Sequence, residues 1–249
     1  MLKKIVFYVN FGALKTNLTM RKIKSIALLA LLMSSSLFIS CSNDSDNEDT
    51  AEASTGDYWP TAVNNQWVMD QNGTESTMKI VSSEKVNDDT YFKFNQFSLA
   101  QDGGLGSATA AIKKVKGDYY IKIADVIYNA NGITGKTSGY EFVFFKDYLE
   151  VNKTWTGSYT QETSFDFPGV PVIKLNVNYT GTILEKGATA TVNSVSYKDV
   201  IKFKFLMETK MEGQTASSVT VEYWVAKDVG IIKMTSGSTV SELVSYSLK

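Results

Sequence analysis

The chain of 249 residues carries 25 basic and 26 acidic side chains, no histidine, one arginine (Arg21) and one cysteine (Cys41). Histidine is the usual general base near neutral pH and the commonest metal ligand, so Ser-His-Asp and Cys-His catalysis and ordinary zinc sites are excluded, and no metal or cofactor is expected. Residues 1–40 hold six of the basic residues and none of the acidic ones, leaving 19 basic against 26 acidic groups and a net charge of −7 beyond them; with no arginine forks there, nucleic acid is excluded as a partner.

Residues 1–19 form a weak basic and apolar stretch, read as an upstream start ahead of the true one at Met20. Arg21, Lys22 and Lys24 then precede an apolar run over 26–39, shorter than the roughly 20 residues that a spanning helix needs. Residues 20–40 have the charged start and apolar middle of a secretory signal. Together with Phe38-Ile39-Ser40-Cys41 they resemble a bacterial lipoprotein signal peptide and its lipobox, with Phe38 where leucine is usual. The resemblance implies a diacylglyceryl thioether on Cys41, cleavage before it and acylation of the new N-terminus. The membrane partner is then reached through acyl chains, two or more of which anchor firmly. No second cysteine is present, so no disulfide supports the fold.

Residues 41–56 contain Asp44, Asp46, Glu48, Asp49 and Glu52 and no large apolar side chain, which predicts a disordered acidic tether. Its acidic spacing lacks the central glycine and terminal glutamate of a calcium loop. The run is similar to the Ser/Asp/Glu-rich export signal that follows the lipidated cysteine in Bacteroidota-type surface lipoproteins. That likeness implies an outer-membrane, cell-surface location. Asp49-Thr50-Ala51 resembles the O-glycosylation acceptor of the same group, which marks Thr50 as a modification site.

From residue 57 to 249 one β-domain is expected. Ile173, Leu175, Val177 and Tyr179 alternate with polar residues, as do Ile201, Phe203, Phe205 and Met207, then Val219, Val221, Tyr223 and Val225, and finally Val244, Tyr246 and Leu248. Each set belongs to one face of a half-buried strand. Asn72-Gly73 and Lys116-Gly117-Asp118 predict tight hairpins, and Asn87-Asp88-Asp89 precedes an aromatic strand at 91–97. The stretches 102–106 and 129–139 read as mobile loops, and Pro168 and Pro171 close a strand near Phe167. The prediction is an all-β fold of about ten antiparallel strands in meander order, forming a curved sheet or half-open barrel.

Tyr58-Trp59-Pro60 with Asn65-Gln66-Trp67, and the later run Tyr223-Trp224-Val225-Ala226-Lys227-Asp228-Val229-Gly230-Ile231-Ile232-Lys233, resemble the opening and closing motifs of uncharacterised small β-rich lipoproteins of the Bacteroidota. Asn64 stands where the first motif usually has glycine, and Asp228 likewise in the second. The resemblance implies a curved antiparallel sheet and brings no activity. From the residues themselves, Asp228-Val229-Gly230 predicts a turn with Gly230 at positive φ, and Trp224 faces away from Tyr223 and Val225.

The aromatic side chains are the candidate recognition chemistry: Trp59, Trp67, Trp155 and Trp224, with Tyr140, Phe142, Phe144, Phe145 and Tyr148, line a ligand site or pack a core. The reading is of a lipid-anchored, non-enzymatic surface protein that binds an apolar or glycan ligand. The alternative is a structural or protein-interaction module of the envelope. A glycan hydrolase drawing on Asp88, Asp89, Glu141, Asp147 or Glu150 is the third reading, and requires two facing carboxylates about 5–9 Å apart.

Overall fold

A computed structural model describes residues 54–97, 109–130 and 132–249. The signal-peptide segment, Cys41, Thr50, most of the acidic tether and the 102–106 stretch lie outside the described residues. Those described fall within one compact unit and contain no helix. The strands are β1 (Gln66–Gln71), β2 (Thr74–Val86), β3 (Asp89–Phe94), β4 (Ala110–Val115), β5 (Asp118–Ile123), β6 (Val126–Ala130) and β7 (Ile133–Thr137). They continue as β8 (Tyr140–Lys146), β9 (Thr154–Phe165), β10 (Ile173–Val192), β11 (Val195–Met211), β12 (Ser217–Ala226), β13 (Gly230–Ser236) and β14 (Thr239–Ser247).

All pairings are antiparallel within one 14-stranded sheet, whose order is β6-β7-β9-β10-β11-β12-β13-β14-β1-β2-β3-β4-β5-β8. Each end strand is covalently joined to the other's neighbour: β5 runs into β6, and β7 into β8. Both ends of the ladder are therefore halves of one bent hairpin, whose tip pairs with β9 and whose base pairs with β4. At the bend the Gly139 N–H donates to Asp125 Oδ1 at 2.7 Å. The sheet thus comes round on itself, with β1 paired to β14.

Fourteen strands replace the ten expected. Part of the excess is β6 and β7, which occupy much of the 129–139 stretch read as a loop; its Gly132, at φ 80°, makes the turn between them. The predicted hairpins form at Asn72-Gly73, with φ 54° and 85°, and at Lys116-Gly117, with φ 49° and 90°. β9 ends at Phe165, ahead of both prolines. In β14 the expected face is corrected: Leu243 is buried, whereas Val244 falls at a register shift opposite Val68/Met69 and is 42% exposed. A bulge reverses the alternation there, which a strict period of two does not anticipate.

Two side chains cap the β8 edge. Val143 N–H donates to the Tyr179 hydroxyl at 3.2 Å, and Val143 C=O accepts from Trp155 Nε1 at 3.0 Å. Both rings lie flat across a cross-strand glycine: Tyr179 over Gly157, and Trp155 over Gly181. A Cβ on either glycine would come within 2.1 Å of the ring.

The base of the domain is a knot of the two motif segments. Trp67 Nε1 donates to Val229 C=O at 2.6 Å, and the Trp67 ring meets Trp59 edge-on at 6.4 Å. Gly230, at φ 113°, adopts a backbone that a side chain would strain, and a Cβ there would come within 3.1 Å of Trp67 Nε1. Fully buried Asn65 holds Pro60 C=O at 3.0 Å and the Lys249 N–H at 2.8 Å. Here the expected tether differs from the structure, because Ser54, Thr55 and Gly56 are fastened rather than free. Ser54 Oγ donates to buried Asp147 at 2.6 Å and Thr55 N–H at 3.1 Å, while Lys114 bonds both oxygens of Asp57 at 2.9 Å.

Candidate ligand-binding mouth

The inward face of the sheet has two regimes along its strands. Near the base every inward position is buried: Phe203, Ile201, Ile183, Phe144 and Val225 are each at most 2% exposed. Toward the opposite end the alternation persists but burial does not. Tyr140 and Phe142 on β8, Tyr159 and Gln161 on β9, Leu175 on β10, and Met207, Thr209 and Met211 on β11 are only half-buried. Cross-strand pairing puts most of them on the core face: Tyr159 opposite buried Val177, Val177 opposite Thr209, Leu175 between Gln161 and Met211, and Tyr179 opposite Met207. Tyr140 and Phe142 join them through ring contacts with Tyr159. The inward face is fully packed at the base and half-exposed at this end, the mouth.

Tyr140 and Tyr159 stack with ring centroids 4.1 Å apart and 4° between their planes. Phe142 links them to Tyr179 and Phe205, and a continuous aromatic ladder descends through Phe144 and Phe203 to the base. Burial pushes the Tyr140 and Tyr159 hydroxyls well above the ordinary phenol value, so both stay neutral. No inward-facing position of β9 to β12 carries a charged side chain. Met207 and Met211 bring flexible, polarisable thioethers that adapt to irregular apolar shapes.

The four tryptophans are dispersed. Trp59, Trp67 and Trp155 are buried in the core, and the first two sit in the base knot. Trp224 lies on the outer face, as its alternation predicted, with Lys202 Nζ 4.4 Å and Lys233 Nζ 5.1 Å from its ring and Nε1 bonded to Glu222 at 2.7 Å. These cations lie on the ring that a sugar would need. Of the aromatics on β8 and just beyond it, Phe144 and Phe145 are buried, and the Tyr148 hydroxyl bonds Lys146. Only Tyr140 and Phe142 reach the mouth. Tyr159, Met207 and Met211 were missed as site residues. Their strand alternation was readable, but where along a strand burial ends depends on what faces it across the sheet.

Three of the candidate carboxylates, Asp147, Asp89 and Glu141, are held by neighbouring groups. Asp147 fastens the entry strap, and burial raises its pKa against the hydrogen bonds from Ser54 and Thr55 that lower it. Asp89 and Glu141 both contact Lys113 Nζ at 2.9 Å, so an ammonium stands between them. Burial alone would loosen the Lys113 proton, but hydrogen bonds with Tyr91, Asp89 and Glu141 outweigh it and hold the proton more tightly than usual.

The fold places the chain among all-β proteins built as an antiparallel meander whose first and last strands pair. No protein-family profile and no curated protein matches it in sequence. Among solved structures it is similar to a proposed lipoprotein of Parabacteroides distasonis, with TM-score 0.50 and 9% identity over 77% of this chain and 99% of that one. A proposed exported protein of Bacteroides fragilis with a YmcC-like fold aligns at TM-score 0.45 and 10% identity, over 78% of this chain and all of the other. The first likeness is one of fold.

Proposed function

We propose that this chain is an exported lipoprotein, held to the outer membrane by acyl chains on Cys41 and displayed at the cell surface, that binds an apolar ligand in the open mouth without catalysing a reaction. The observation that carries the reading is the change of the inward face from fully buried to half-buried, where it is aromatic, thioether and aliphatic. The uncharged inward positions of β9 to β12 supply no acid and base for hydrolysis. The fold likeness to a proposed lipoprotein and the signal-like segment at 20–41 support the anchored location. Within the domain, the chain enters at Ser54 beside Asp147, at the end of β8 opposite Tyr140. At about 3.3 Å per residue this puts roughly 20 Å of strand between Ser54 and the mouth.

A fluorescent naphthylamine probe should bind the purified domain saturably at one site. Met211→Glu and Leu175→Glu, which charge the rim while leaving the base untouched, should each weaken binding at least tenfold with little change in melting temperature. Absence of saturable binding, or equal binding by both variants, would overturn the ligand reading. In cells, Cys41→Ala should leave the membrane fraction or accumulate as precursor, and normal anchoring of that variant would overturn the location.

A further inference from the structure

A second concavity lies on the opposite, outer face of the sheet, across β2 to β5. Alternation turns Glu84, Tyr91, Lys93, Ala111, Lys122 and Ala124 outward, and they line a depression of about 210 Å³. Lys93 and Lys122 stand directly across from Ala111, one on each side. Adjacent strands are about 4.8 Å apart, so the two lysine backbones straddle a gap of nearly 10 Å floored by a single methyl group.

The charges around this gap are unevenly matched. Lys93 is paired with Glu84. Glu141, cross-strand neighbour of Lys122, directs one oxygen to Lys113 and the other to the Tyr91 hydroxyl, both at 2.9 Å. Asp89 is also held by Lys113. Lys122 is left exposed, its ammonium 4.8 Å from the Tyr91 ring; it lies near enough to Glu84 to act on that carboxylate, but Glu84 makes its ion pair with Lys93. An ammonium beside an aromatic wall over an alanine floor suits a ligand with one negative group and a compact body. The depression is smaller than the 300–1,000 Å³ of drug-sized pockets, which limits that body to about one ring.

We propose that this outer groove binds a small organic carboxylate, about one sugar ring in size, with the carboxylate on Lys122 and the body against Tyr91, Ala111 and Ala124. The site lies on the other face of the sheet from the mouth and stands or falls independently of it. The carboxylate could belong to an acidic sugar or to a peptide terminus, and calorimetric titration at low salt with galacturonate, N-acetylalanine and neutral galactose separates the two. At least one carboxylate should bind saturably at one site while galactose does not, and whichever binds more tightly identifies the source. Lys122→Met should weaken that binding at least tenfold, Ala111→Leu should block it by filling the floor, and Lys174→Met, elsewhere on the surface, should leave it unchanged. No saturable heat with either carboxylate, or parental affinity in Lys122→Met, would overturn the proposal.

Discussion

Asp147 shows how one residue ties the chain's entry to the body of the domain. It is fully buried, yet its neighbours are mostly neutral donors: Ser54, Thr55 and the Tyr119 hydroxyl, the last at 3.3 Å. Burial raises its pKa, so the folded state favours the protonated carboxyl relative to the unfolded chain. Its contribution to stability is therefore complete below the ordinary value of 3.8 and is lost as pH rises through the raised one. Asp147→Asn keeps an acceptor for Thr55 and removes the charge. It should melt at a higher temperature than the parent near pH 7, with the gap closing as pH falls below 4. Thermal melts across that range check this, and a variant that melts lower at every pH would show that the ionised form is the one the strap requires.

At the scale of elements, β8 is a strand whose outer edge is satisfied by side chains in place of a neighbouring backbone. Sheet edges with unpaired N–H and C=O groups are templates for unwanted pairing, and the Tyr179 and Trp155 caps on Val143 remove one such pair. Those caps depend on Gly157 and Gly181, which let the rings lie flat. Gly157→Val should lift Tyr179 from the sheet, uncap Val143 and destabilise the domain by about 2–4 kcal/mol, as overpacking combined with an orphaned buried donor does. Tyr179→Phe should cost only about 1–3 kcal/mol, because the ring still fits. Urea denaturation separates the two, and amide exchange at Val143 should quicken in both.

The alternating strands, the Asn-Gly and Lys-Gly turns, the outward Trp224 and the turn at Gly230 were all legible in the sequence, because each follows from local periodicity or backbone preference. The β6–β7 pair was not, since Asn129 and Gly132 read as loop signals and only pairing with β9 recruits the segment into the sheet. Nor was the bulge at Val244, which exists because β14 must match β1. The mouth was half legible: Tyr140 and Phe142 stood out as an aromatic cluster, but Tyr159, Met207 and Met211 gain their role from the strands around them.

For the whole molecule, the order of pairing matters more than any one contact. β14 joins β13 to β1, so removing residues 239–249 would expose the buried edges of both strands and the Trp67 side of the core. A chain ending at Ser238 should lack a cooperative thermal transition and bind hydrophobic dyes nonspecifically, whereas a chain shortened by its last residue should retain the fold. Circular dichroism and dye fluorescence report both outcomes. The pairing of β1 with β14 also sets a timetable. During synthesis the Trp67 side of the core stays uncovered until β14 has been made, since β2 to β13 are all made between β1 and the partner that seals it. A pairing between strands so far apart in sequence forms late. For a chain proposed to be exported, late sealing leaves more of the polypeptide threadable during the crossing.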